Sequence, residues 1–165
     1  EGPDGATKVG INTHHPNKIA EEAIQAGIID GLTPDLPLRR EVKYGEEKSR
    51  IDILLEGPQK TWVEVKNCHL LRREDGVTEF PDCVTARGLK HLRELMGMVA
   101  AGDRAVLLFI IQREDTTGFA PADDLDPAYG KGLREAAAAG VEILAYDCAL
   151  SVDQISARKS VPVLL

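Results

Sequence analysis

The chain has 165 residues, the size of a domain with one core, and 43% of them are apolar. Its longest uninterrupted apolar run, Ala105 to Ile111, is seven residues, too short for a membrane-spanning helix. Twenty basic against 27 acidic residues leave a net charge of −7. That excludes a protein that coats nucleic acid by bulk charge, but not one with a local basic cleft.

In chain order, Glu1 to Gly5 reads as a loop, and Glu1 to Lys8 is too polar for a signal peptide. Lys8 to Asn12 has the pattern of a short strand. A first helix is expected from about Pro16 to Ala26. Asn12 or Thr13 can approach its start, Pro16 suits its first turn and Gly27 its stop. Ile19, Ala20, Ala23 and Ile24 form its apolar stripe, with Glu21 and Glu22 beside it. After a Gly/Pro loop, strands are expected at Leu38–Tyr44, Arg50–Glu56 and Thr61–Asn67, the last two joined by a turn at Gly57-Pro58-Gln59-Lys60. Cys68 to Pro81 reads as a polar loop. Asp82 or Thr85 can cap a long helix to Ala101, with Leu89, Leu92, Leu95, Met96 and Val99 inward and Gly102 at its end. Ala105–Ile111 suits a strand buried on both faces, Pro127–Ala139 a helix ended by Gly140, and Val141–Tyr146 a last strand. This order describes an α/β fold with a mixed sheet.

Cys68, Cys83 and Cys148 are odd in number and have no zinc-site spacing, so each is expected to be a small buried hydrophobe in a reduced, cytoplasmic protein. His14 and His15 have no third partner in a metal spacing and read as loop or capping residues.

The second and third expected strands carry the most information. If their turn centres on Pro58, opposed residue numbers sum to 116, and Asp52 lies across from Glu64 and Arg50 across from Lys66. Alternation places Ile51, Ile53, Leu55, Val63 and Val65 on one face, and Arg50, Asp52, Leu54, Trp62, Glu64 and Lys66 on the other. Like charges directly opposed are unfavourable in a sheet built only for stability. Two converging carboxylates suit a hard divalent cation such as Mg²⁺, and Lys66 can orient water or stabilise developing negative charge. On pattern alone, the commoner reading is a solvated face with diagonal Arg50–Glu64 and Asp52–Lys66 ion pairs. Trp62 can stack a base or pack under the long helix, and packing is favoured.

Asp52 followed by Glu64-Val65-Lys66, after an acidic helix, resembles the PD-(D/E)xK nuclease core. More closely, the chain resembles the sugar fermentation stimulation protein family. The resemblance runs through Arg40-Glu41-Val42-Lys43-Tyr44-Gly45, Ser49-Arg50-Ile51-Asp52 and Val63-Glu64-Val65-Lys66-Asn67. It continues in Phe80-Pro81-Asp82, Val84-Thr85, Arg87-Gly88 and Lys90-His91-Leu92-Arg93-Glu94-Leu95-Met96. Gly140 to Tyr146 and Lys159-Ser160-Val161-Pro162 complete it. The resemblance implies a restriction-endonuclease-like three-layer core, with a mixed central sheet flanked by helices, over residues 13–165. Residues 1–12 would then be a remnant or linker of a preceding oligonucleotide-binding barrel.

The same resemblance implies Asp52, Glu64, Lys66 and the helix acid Glu22 as catalytic groups. Asp52, Glu64 and the Val65 carbonyl would hold Mg²⁺ or Mn²⁺. Arg50, Arg87, Lys90 and His91 would line a cleft for DNA phosphates. The implied activity is metal-dependent phosphodiester hydrolysis. The alternative is a non-catalytic DNA-binding regulator of sugar (maltose) metabolism genes that keeps the nuclease fold. No membrane partner is expected; restriction-type domains often pair, so a homodimer is an open expectation. Leu89 departs from the pattern, standing where a polar residue, often Gln, is expected, and Cys68-His69 replaces a more usual Val-Thr.

Overall fold

The computed structural model describes residues 16–165. The expected strand at Lys8–Asn12, the caps at Asn12 or Thr13, and His14 and His15 lie outside the described residues. Helix α1 (Pro16–Gln25) leads into a meander of β1 (Leu38–Tyr44), β2 (Ser49–Leu55) and β3 (Thr61–Cys68). A short β4 (Val77–Phe80) precedes α2 (Ala86–Ala100), β5 (Arg104–Ile111) and a short β6 (Gly118–Pro121). Then come α3 (Pro127–Ala138), β7 (Glu142–Leu150) and β8 (Ile155–Ser160). Among the described residues, no helix is long and apolar enough to cross a membrane.

The main sheet has the order β1-β2-β3-β5-β7-β8. Its centre, β3-β5-β7, is parallel, and both flanks are antiparallel. β5 explains the continuous apolar run of the sequence. Val106, Leu108 and Ile110 pack under α1, while Leu107, Phe109 and Ile111 pack under α2 and α3. The run Ala105–Ile111 of this central parallel strand meets a core on each side, which is why it is apolar throughout. The result is the expected mixed α/β three-layer core. Two tight contacts draw α2 and α3 together: a Cβ on Gly132 would lie 2.9 Å from Leu89 Cδ2, and one on Gly88 would lie 2.8 Å from Tyr129 Cε2.

Several expectations are corrected. The segment read as a loop from Cys68 to Pro81 contains β4, which pairs in parallel with β6, and the last strand runs on to Leu150 and pairs with β8. On α2, the buried set includes His91 and Glu94, whereas Leu89, Met96 and Val99 are half-buried. Cys68 and Cys148 are buried, but Cys83 is exposed.

The hairpin register is as expected: Ile53↔Val63, Leu54↔Trp62 and Leu55↔Thr61. The assignment of faces is not. Ile51 joins Val42 and Tyr44 in the core under α2, while Ile53, Leu55 and Leu38 join the core under α1. The swap occurs between the pairs Arg40↔Ile53 and Val42↔Ile51, at the level of Glu41 and Asp52. Glu41 there has φ +55°, a left-handed conformation unusual for a residue with a side chain. The change of face falls at this level, so alternation counted through Asp52 misplaces Ile51.

Candidate active site

The β2–β3 pairing ends at Ile53↔Val63, so the expected backbone pairing of Asp52 with Glu64, and of Arg50 with Lys66, does not form. The Asp52 side chain takes over the ladder. Its Oδ2 accepts the Val65 backbone N–H at 2.7 Å, and its Oδ1 accepts Asn17 Nδ2 at 2.8 Å. Each carboxylate oxygen keeps a further acceptor site. Burial, then the Glu64 charge, pushes the Asp52 carboxyl up to about 6, against the opposing pull of the Val65 and Asn17 hydrogen bonds and Lys66.

Glu64 is buried, with its side chain 3% exposed. Its Oε1 accepts from Lys66 Nζ at 2.8 Å and is also held by His91 Nδ1, which reaches across from α2. Lys66 Nζ lies 2.9 Å from the same ring nitrogen. Glu64 Oε2 is buried and has no hydrogen-bond partner. Burial raises the Glu64 carboxyl, but the His91 hydrogen bond and the Lys66 and His91 charges outweigh it, leaving the group below the ordinary glutamate value. Neither diagonal ion pair forms. Lys66 binds Glu64 on its own strand, and Asp52 binds Asn17 and the Val65 amide.

Asp52 and His91 open onto a cleft of about 360 Å³, whose walls carry Lys48, Arg50, Arg87 and Lys90 against Glu41. The four residues expected to meet phosphates thus line one cleft. His91, at 6% exposure, is however committed to Glu64 and Lys66. Lys90 Nζ also donates to the Glu47 carbonyl at 2.7 Å, and Arg93 is tied to the Glu47 carboxylate. Trp62 packs on Tyr44, with ring centroids 5.5 Å apart, and donates to Asp103, so it is held in the core. Leu89 packs against α3, so its apolar character does not touch the cleft.

Glu22 is not brought to this cleft. Its side chain is 50% exposed, pairs with Lys18 and lines a separate cleft beside Asp153 and Gln154. Asn17 is the α1 residue that touches Asp52, and five residues along a helix is roughly 140° around it. Glu21, one turn from Asn17 on the same side, pairs instead with Arg40. Asn17 and the committed role of His91 escape sequence reasoning. The available signals were the i, i+4 placement of Asn17 and Glu21, and a histidine one turn after Arg87 on a helix facing β3. Among the described residues, no group of three or more His, Cys, Asp or Glu side chains is arranged to hold a metal ion.

The family model for the sugar fermentation stimulation protein RE domain matches residues 14–154. The chain belongs to the sugar fermentation stimulation protein family. The family homolog from Acidithiobacillus ferrooxidans is 55% identical over 162 residues, covering 97% of this chain and 69% of that protein. The homolog from Rhodospirillum centenum is 56% identical over 151 residues, covering 90% and 64%. A structure of the family member from Pyrococcus furiosus, SfsA in complex with Ca²⁺, superposes with a TM-score of 0.84 at 32% identity. That match covers 94% of this chain and 66% of the other. The chain therefore spans about two thirds of the length of these relatives.

Proposed function

We propose that this sugar fermentation stimulation domain binds DNA in the Arg50–Arg87–Lys90 cleft and hydrolyses a phosphodiester there with a divalent cation, Mg²⁺ or Mn²⁺. One observation carries the reading. Just past the end of the hairpin pairing, Asp52 lines a basic cleft together with His91, and His91 is joined behind it to the buried Glu64–Lys66 pair.

The residues fit a cation. Glu64 Oε2 is a buried carboxylate oxygen with no partner, and such an orphan calls for a water or an ion. Burial first, and the Glu64 charge second, raise the Asp52 carboxyl, so its negative charge lacks compensation there. Asp52, Glu64 and the carbonyl of Val65 would be the protein ligands. A set this small suits Mg²⁺, which keeps several waters, and needs no all-protein cage. The Ca²⁺ carried by the Pyrococcus furiosus relative supports a site for hard divalent cations.

A bound divalent cation would lower the pKa of a water and offset charge at phosphorus. Lys66 would donate to a phosphate oxygen as negative charge develops, and Arg87 and Lys90 would hold flanking phosphates in place. Attack of water on phosphorus would form one phosphorus–oxygen bond as the ester bond breaks, giving a phosphate monoester and a leaving oxygen that takes up a proton from solvent to become a hydroxyl. Asn17 and the Val65 amide fix the Asp52 carboxylate throughout.

The test is a cleavage time course on single-stranded, duplex and branched DNA with Mg²⁺, Mn²⁺ or EDTA, beside Asp52→Asn purified in parallel. The expected result is cleavage by the native protein alone, and only with metal. DNA binding without cleavage, by this chain and by the full-length Acidithiobacillus ferrooxidans homolog, would favour the non-catalytic regulator.

A further inference from the structure

His91 is nine-tenths buried on α2 and reaches the one Glu64 oxygen that Lys66 also holds. A carboxylate oxygen can accept two hydrogen bonds, and here both its donors come from the protein. The third side of the triangle, Lys66 Nζ to His91 Nδ1, is 2.9 Å. If Nδ1–H donates to Glu64, that side needs no hydrogen. The other oxygen, Oε2, has no partner, although it too is buried. The carboxylate is thus used unequally, with one oxygen saturated and one empty.

Glu64 and Lys66 come from one strand and could hold each other without help. They would then be free to rotate together about their own side-chain bonds. A donor from a different layer of the fold removes that freedom. α2 is fixed by its packing on α3 and β5, and it carries His91 between Arg87 and Leu95.

We infer that His91 is a positioning residue of the metal centre proposed above: its ring N–H, with Lys66, occupies Glu64 Oε1 and leaves Oε2 as the oxygen offered to the cation. The assignment rests on the metal-dependent reading of the site. It moves His91 from the phosphate-binding wall to the support of the metal ligands. Loss of such an outer partner typically weakens metal affinity 10- to 100-fold.

The experiment is calorimetric titration of the chain with Ca²⁺ and with Mg²⁺, comparing the native protein, His91→Ala, His91→Asn and His91→Gln. Melting temperatures are read in EDTA. The Asn amide nitrogen falls near the position of Nδ1, whereas the Gln amide reaches the Nε2 position. Affinity is expected to fall roughly 10- to 100-fold in the Ala and Gln variants. In the Asn variant it should stay within about threefold of native, because the donor to Oε1 is restored. The Asn and Gln variants both keep a polar group of similar bulk, so their comparison stands even where Ala fails to fold. A purely structural role would move melting temperature without separating Asn from Gln. Native binding with Gln equal to native, or with Asn as weak as Gln, overturns the assignment alone. No binding of either ion by the native protein overturns the proposed metal centre and the role of His91 with it.

Discussion

Asp52→Asn should make the metal-free protein more stable, and by an amount that depends on pH. The Asp52 carboxyl stands at about 6 against an ordinary 3.8, roughly two pH units at about 1.4 kcal/mol each. Between those values the folded protein binds more protons at this site than the unfolded chain does. Native stability therefore falls as pH rises from about 4 to about 6, and above that the site costs up to about 3 kcal/mol. Asparagine removes the charge and can keep the contacts. Its carbonyl accepts the Val65 N–H, its amide donates to Asn17, and Asn17 need only exchange the ends of its own amide. Neutral hydrogen bonds are weaker than those to a carboxylate, so a net gain of about 1–3 kcal/mol is expected at pH 8. For a chain of this size that is about 2–4 °C per kcal/mol in melting temperature. Below pH 4 the two proteins should converge. Urea unfolding in EDTA at pH 4, 6 and 8 measures the difference directly. An Asn variant less stable than native at pH 8, or a difference that ignores pH, would refute the account of a carboxylate destabilised by burial and by Glu64. Divalent cation should reverse the order, since a ligand at about 1,000 times its Kd adds about 4.1 kcal/mol to the native protein only.

Lys66→Ala should abolish metal-dependent cleavage while DNA affinity, read by fluorescence anisotropy, falls by less than about tenfold, because one phosphate contact is a small share of the electrostatic binding. Arg87→Ala and Lys90→Ala should each reduce the slope of log affinity against log salt by about 1, and leave Ca²⁺ binding unchanged. Retention of the full slope in both variants would move the DNA to another face. Glu41→Gly should raise stability by about 1 kcal/mol in urea, since φ +55° penalises a residue with a Cβ. A loss of stability there would mean that the Glu41 side chain contributes more than its backbone costs.

The parts of the fold legible in the sequence are those that one periodicity describes. Pro58 centred the hairpin and so set the 116 register, and the unbroken run at Ala105–Ile111 marked a strand with a core on each side. β4 and β6 were not legible, because each has four residues and each pairs with a partner some forty residues away, which no local pattern records. β8 begins in the polar stretch around Gln154 and has three exposed residues at its end, as an edge strand can. The site was legible to the extent that it follows the pleat: Glu64 and Lys66 share a face, as counted. Asp52 was found by residue type, but its setting was not, because the face swap at Glu41 is a backbone event with no glycine to announce it. Glu22 follows from the family resemblance, and nothing local separates it from Glu21, whereas helix geometry brings Asn17 to the carboxylate. His91 was grouped with the cations beside it in sequence, and only the height of α2 over β3 distinguishes it from them.

Where β2 leaves β3, the Val65 amide passes from a backbone carbonyl to a carboxylate. A peptide nitrogen held in this way carries the site's charge state into the main chain. Its proton resonance and its rate of solvent exchange should follow whether Asp52 is ionised, neutral or drawn toward a cation. The centre of the molecule thus contains its own spectroscopic gauge, readable in the unaltered protein without substrate, dye or label on any residue of the cleft.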